Sequence, residues 1–183
     1  MNTPWGTSDS KTTLARGISF VTTPSHGGFM ISVRQARKLL SNAALNRGER
    51  YGSYLAYEED CDAFIPLLEL PVSMLEKLGG IQTEEKLISS LSAWHADYLI
   101  ERGIQPTVEG LKFFNENRQH DRMRQDKSPD LIVAAWGDWA EWVPAGKVGL
   151  QTADGKRYLV PSSNYQTRNL NLLSQLLDVQ EAQ

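Results

Sequence analysis

Gly17-Ile18-Ser19-Phe20-Val21-Thr22-Thr23-Pro24-Ser25-His26-Gly27-Gly28-Phe29-Met30-Ile31-Ser32 is the stretch whose reading decides the fold. Ile18, Phe20 and the Val21-Thr22-Thr23 run favour extended backbone, because branched and aromatic side chains fit a pleated, half-buried surface. Pro24 has no N–H to give to a ladder, and Gly27-Gly28 admit backbone angles closed to other residues. Phe29, Met30 and Ile31 then resume an apolar run. The stretch predicts two strands joined by a tight turn that displays Ser25 and His26.

Upstream, residues 1–13 are polar apart from Pro4-Trp5-Gly6, and Trp5 is expected to fold back on the core and pin the N-terminus. Downstream the period becomes helical. Val33, Ala36, Leu39, Leu40 and Ala43 recur at intervals of three and four, which predicts a helix over 33–45 with Ser32 as its N-cap. Residues 51–57 alternate and carry three tyrosines, as a strand does. Glu58-Glu59-Asp60 follows, and acids favour a helix N-terminus, so a helix is expected from near Glu59 to Leu68 with Pro66 shortening it. A short helical turn follows around 72–78.

Thr83 caps the clearest helix, 83–102, on which Leu87, Leu91, Trp94 and Tyr98 form one stripe and which Arg102-Gly103 closes. A further helix over 108–123 becomes almost wholly polar from Arg118 onward. Strands are predicted at 131–136, 147–152 and 156–160, the last two joined by a turn at Asp154-Gly155. Leu170, Leu172, Leu173, Leu176 and Leu177 suggest a C-terminal helix. Strands at both ends with helices between them give a single α+β domain over 1–183. Its mainly antiparallel sheet is expected to join the 17–32 hairpin to the 131–160 strands and to pack on the central helical segment.

With 183 residues, 40% apolar and 22% charged, the chain is long enough and apolar enough to bury a core. A net charge of −3 gives no electrostatic case for nucleic-acid binding. The lone Cys61 excludes an intramolecular disulfide and a four-cysteine zinc site. No leader and no membrane-spanning stretch is read, so the expected setting is cytoplasmic.

Four segments taken together are Thr3-Pro4-Trp5-Gly6, then Gly17 to Gly28, then Tyr57-Glu58-Glu59-Asp60-Cys61-Asp62, and last Ala134-Ala135-Trp136-Gly137-Asp138-Trp139 with Val143-Pro144-Ala145-Gly146. They resemble a domain family of unknown function in proteins of proteobacteria, their plasmids and phages. The family pattern often has a Trp two residues after the second Asp, where this chain has Phe64. The resemblance implies a genetic setting, that of mobile elements, whose small accessory proteins often counter host defence.

Three groups of residues carry candidate chemistry. Ser25 and His26 can supply a nucleophile and a base, but adjacent side chains on a strand point to opposite faces and there is no G-x-S-x-G elbow. The plainer account has His26 bonded to backbone within the Gly-Gly turn. Glu58, Glu59, Asp60 and Asp62 repel one another and could hold a divalent cation, or complete a hydrolytic site with His26. The plainer account makes them the acidic start of a helix, and their spacing fits no EF-hand loop. Trp136, Trp139 and Trp142 could form a protein-binding patch, with Trp136 buried and Trp139 or Trp142 at a surface. His95 and His120 are read as helix-surface residues without a metal partner.

The expected function is that of a phage- or plasmid-type accessory protein that needs no cofactor or metal. It would bind a host or mobile-element protein through Trp139, Trp142, Asp60 and Asp62, in anti-CRISPR or anti-restriction counter-defence. The alternative is a small hydrolase or group-transfer enzyme using Ser25 and His26 with Glu58 and Glu59.

Overall fold

A computed structural model describes residues 1–80, 82–166 and 171–182. The fold is a mixed α+β one with antiparallel sheets, as the sequence predicts. The chain divides into two compact units, 1–114 and 115–183.

The first unit opens with a two-residue ladder, β1 (Asn2–Thr3) against β2 (Gly6–Thr7). Its main sheet holds β3 (Ser10–Ala15), β4 (Ile18–Thr22), β5 (Gly27–Ser32), β6 (Glu49–Tyr51) and β7 (Tyr54–Glu58) in the order β3-β4-β5-β7-β6. The predicted hairpin is present as β4 and β5, and Thr22 pairs with Gly27. Period-two alternation then sorts β5 between two faces. Phe29 and Ile31 join Ile18, Leu55 and Tyr57 on the side covered by helices. Met30 joins Val21 and Ala56 on the other side, where Trp5 packs as expected.

Several elements differ from what the sequence predicts. Residues 1–13 hold more than a polar segment, since β3 is an edge strand whose first four residues are exposed. The helix expected over 33–45 breaks at Leu40 and Ser41 into α1 (Val33–Leu39) and α2 (Asn42–Leu45). Ser32 precedes α1 without a side-chain cap bond, whereas the Ser41 hydroxyl accepts from the Ala44 N–H and caps α2. The single strand expected at 51–57 is the hairpin β6–β7, turned at Gly52 with φ +57°. The helix expected from Glu59 starts at Phe64, so α3 (Phe64–Glu69) has no acid in its first turn.

After α4 (Val72–Leu75) and a 3-10 turn, the helix expected over 83–102 is two. Thr83 caps α5 (Glu84–Trp94) by accepting from the Lys86 N–H; His95 leaves helical geometry at φ −137° and ψ 44°, and α6 (Ala96–Glu101) restarts in a new phase. Leu87, Leu91 and Tyr98 are buried, but Trp94 is exposed and stacks edge-on with Phe113. Gly103 closes α6 at φ +71°. The helix α7 (Val108–Gln125) is close to its predicted length.

Glu69, at the end of α3, ties α3 to the start of α2 and to α6. Its side chain is only 5% exposed. It accepts from the Ser41 N–H at 2.6 Å, the Ser41 hydroxyl at 2.5 Å and the Tyr98 hydroxyl at 2.8 Å, and the Arg102 Nε lies 3.0 Å away. Burial and the bond to Glu69 hold the Tyr98 phenol well above its usual range, so it remains a donor.

The second unit has its own antiparallel sheet of β8 (Ile132–Trp136), β9 (Lys147–Thr152), β10 (Arg157–Pro161) and β11 (Gln180–Glu181), ordered β11-β10-β9-β8. The expected single sheet joining 17–32 to 131–160 is therefore absent: these strands lie in two separate sheets. The β9–β10 turn falls at Asp154-Gly155 as predicted, with Gly155 at φ +92° and the Thr152 hydroxyl donating to Asp154. That bond holds the Asp154 carboxyl below its usual range. Of the expected C-terminal helix, Leu170 lies outside the described residues, Leu172 bridges to Leu131, and Leu173–Gln175 form one 3-10 turn. Among the described residues no helix is long and apolar enough to cross a membrane.

Candidate functional site

The turn between β4 and β5 is closed by Thr23, whose hydroxyl donates to the His26 carbonyl at 2.7 Å and accepts the His26 N–H at 3.1 Å. The Thr23 N–H donates to the same carbonyl at 2.7 Å. Beyond the turn, β5 pairs with β7, and the register sets Gly28 opposite Glu58. The Glu59 N–H continues that ladder to the Gly27 carbonyl at 3.0 Å. Both glycines are required by this closeness. A Cβ on Gly27 would lie 2.5 Å from the Glu59 carboxylate, and one on Gly28 would lie 2.1 Å from the Tyr57 carbonyl oxygen.

Glu58 is the last residue of β7, and this register brings it to His26. The His26 Nδ1 is 3.3 Å from Glu58 Oε1. The other oxygen, Oε2, accepts the Asp60 N–H at 2.8 Å and faces the Cys61 thiol at 3.7 Å. With both oxygens engaged, Glu58 is a fixed carboxylate that can select the Nδ1–H tautomer of His26 and leave Nε2 for a ligand or a proton. The imidazole is half exposed, at 51%. It is the ring that pairs with a carboxylate, whereas the sequence reading gave it to backbone; only the N–H and C=O of His26 serve the turn. Ser25 is exposed, and no hydrogen bond joins its hydroxyl to His26 or Glu58.

Residues 59–63 form turns that lead from β7 into α3, so the acids line a connection rather than a helix start. Glu59 packs beside Gly27, and Asp60 is exposed. The carboxylate of Asp62 meets a residue that the sequence reading placed on a helix surface. Because α5 breaks at His95 and packs against α3, His95 is half-buried, with Nε2 2.9 Å from Asp62 Oδ1. That Nε2 is shielded from solvent and makes no hydrogen bond, and its approach to the Asp62 carboxylate is an ion pair only when the ring is protonated. Cys61 Sγ is 3.7 Å from the same Asp62 oxygen. Burial, then Asp62 and Glu58, push the Cys61 thiol up to about 12, the reverse of what an activated cysteine nucleophile needs.

Cys61, Asp62 and His95 thus bring one sulfur, one oxygen and one nitrogen within 4.8 Å of one another, and His26, Glu58 and Asp60 do the same with nitrogen and oxygen donors. The two groups share the Glu58–Cys61 contact. Sequence reasoning passed over Cys61 and His95 as participants. A signal for the second was present: small Ala96 and acidic Asp97 make a fresh helix start directly after His95.

Trp136, Trp139 and Trp142 lie in the second unit. Trp139 is 77% exposed, whereas Trp136 and Trp142 are both half-buried and stack edge-on at 5.4 Å. Trp136 is thus less covered than expected. His120 lies on α7 beside Asp121.

The model of a domain of unknown function, DUF7007, matches residues 1–126. The chain belongs to the DUF7007 family. That DUF7007 match takes in the whole first unit with every residue of both donor groups, and it ends before Trp136, Trp139 and Trp142. No curated protein and no solved structure matches the chain.

Proposed function

We propose that the DUF7007 unit is a small hydrolase or group-transfer enzyme in which His26 is the general base and Glu58 its positioning carboxylate. One observation carries the reading: Glu58, fixed through both oxygens, presents Oε1 to His26 Nδ1 while the ring stays open to solvent. A base needs an oriented imidazole with one free nitrogen near its working pH, and a carboxylate partner supplies the orientation. Ser25 makes no bond to the ring, so the base acts on water or on a substrate hydroxyl rather than on Ser25.

The test is turnover of a panel of nitrophenyl esters, phosphomonoesters and phosphodiesters by the intact protein. His26→Ala is expected to lower kcat/KM by about 10²–10⁴-fold. Stability should change by less than about 0.5 kcal/mol, the usual range for an exposed side chain. A loss of roughly 1–3 kcal/mol, with activity falling only as folded protein is lost, would return His26 to a turn-building role. Absence of turnover by the unaltered protein across the panel would also count against the enzyme reading.

A second reading is favoured by the exposure of Trp139 at 77%. On it the chain is an accessory protein of a phage or plasmid, and Trp139 is the anchor for a host or mobile-element protein. Trp139→Ala should then weaken capture of that partner at least tenfold, about 1.4 kcal/mol, while His26→Ala leaves capture unchanged.

A further inference from the structure

We infer that Cys61, Asp62 and His95 form a site for one divalent transition-metal ion of the zinc and cobalt class. This goes beyond the His26–Glu58 reading and does not depend on it. The donors come from separate parts of the chain, the turn after β7 and the break between α5 and α6, so their meeting is a product of tertiary packing.

Two features point to a ligand. The first is the solvent-shielded His95 Nε2, 2.9 Å from a carboxylate oxygen and bonded to nothing. Buried polar atoms are almost always satisfied, and a nitrogen lone pair set against an oxygen lone pair is repulsive unless a proton or a cation lies between them. No hydrogen bond satisfies that nitrogen. The second is the donor set. Thiol sulfur, imidazole nitrogen and carboxylate oxygen together suit borderline ions such as Zn²⁺ and Co²⁺, and do not suit Mg²⁺ or Ca²⁺, which prefer oxygen alone.

Spacing agrees with this assignment. A tetrahedral ion with bonds of about 2.0–2.3 Å holds its donors roughly 3.3–3.7 Å apart. Cys61 Sγ and Asp62 Oδ1 are 3.7 Å apart, Asp62 Oδ1 and His95 Nε2 are 2.9 Å apart, and all three donors lie within 4.8 Å of one another, so small side-chain shifts would close the set around an ion. Three protein donors leave a fourth position open, as in zinc sites that bind water or substrate. Glu58 faces the sulfur from outside the set and is placed to position it.

Cobalt titration of the intact protein tests the site directly. Tetrahedral Co²⁺ has visible ligand-field bands, and a thiolate ligand adds a near-ultraviolet charge-transfer band. We expect one equivalent to bind with both features, and zinc to displace it. Cys61→Ser should abolish the charge-transfer band. Asp62→Asn and His95→Ala should each weaken binding more than about 100-fold, and Glu58→Gln by about 10–100-fold. Cys61 is the only cysteine, so its reaction with a thiol reagent is a second measurement: zinc should protect it in the folded, unaltered protein. The inference is overturned if cobalt binds without the thiolate band or zinc leaves Cys61 equally reactive. It is also overturned if binding is lost in His26→Ala but kept in Cys61→Ser, which would put the ion among His26, Glu58 and Asp60. None of these readouts uses turnover, so the site stands or falls separately from the role of His26 as base.

Discussion

Glu69→Ala is expected to destabilise the first unit by about 3–5 kcal/mol, because it strands the Tyr98 hydroxyl and both Ser41 donors, each worth about 1–3 kcal/mol when left unsatisfied. Urea unfolding of the intact protein would show this as a lower midpoint with an unchanged slope. The side chain is 5% exposed and is the meeting point of Ser41, Tyr98 and Arg102. Arg102, at 39% exposed, can turn to water when its partner goes. The Tyr98 hydroxyl cannot do so as readily, because Tyr98 is fully buried, and a buried donor without an acceptor costs about 1–3 kcal/mol. Glu69→Gln keeps an acceptor oxygen and should lose less than Glu69→Ala. A Glu69→Ala loss below about 1 kcal/mol would show that water fills the position and that α2, α3 and α6 do not depend on this carboxylate.

Gly28→Ala should have an effect of similar size for a different reason. Gly28 sits at φ +147°, where side chains are rarely found. The added Cβ would meet the Tyr57 carbonyl oxygen at 2.1 Å and the Trp5 ring at 2.8 Å. The first contact is with backbone and cannot be relieved by a rotamer change, so β5 would have to part from β7. A loss above about 3 kcal/mol is expected, beyond the usual range of single substitutions. The same shift would move His26 away from Glu58, because the register that pairs Gly28 with Glu58 is what joins them. Gly52→Ala is the control. Gly52 also has positive φ, +57°, but nothing lies within 4 Å of its Cβ position, so only the local cost of about 1–2 kcal/mol applies. Equal losses in the two variants would mean that backbone angle alone, and not the approach of β7, explains Gly28.

Signals that act within a few residues could be read directly from the chain. The β4–β5 hairpin follows from branched residues either side of a Pro and two glycines, the α5 cap from Thr83, and the β9–β10 turn from Asp154-Gly155. Each has a local cause, such as a fixed φ or a side chain bonding a nearby N–H, and such causes operate in any fold that contains the segment. Helix breaks were harder to see. Leu40-Ser41 and His95 continue a helical period in sequence, but the Ser41 hydroxyl caps a new helix and His95 turns towards Asp62.

Which strands share a sheet was decided only by tertiary structure. The 17–32 and 131–160 strands are both apolar, which suggests that they pair, yet the neighbour of β5 is β7, within the 51–57 stretch that also reads as a strand. Of the partners, β3 is a polar edge strand that the sequence does not mark, and β7 belongs to a hairpin turned at Gly52 whose alternation does not say which strand it joins. The site divides in the same way. Composition marked His26 and the acids of 58–62 as candidates. Nothing within a sequence window could set His26 on Glu58, 32 positions apart, or His95 on Asp62 beside the single cysteine. Those meetings depend on strand register and on α3 packing against α5, because burial of apolar surface fixes where segments lie without regard to their distance along the chain.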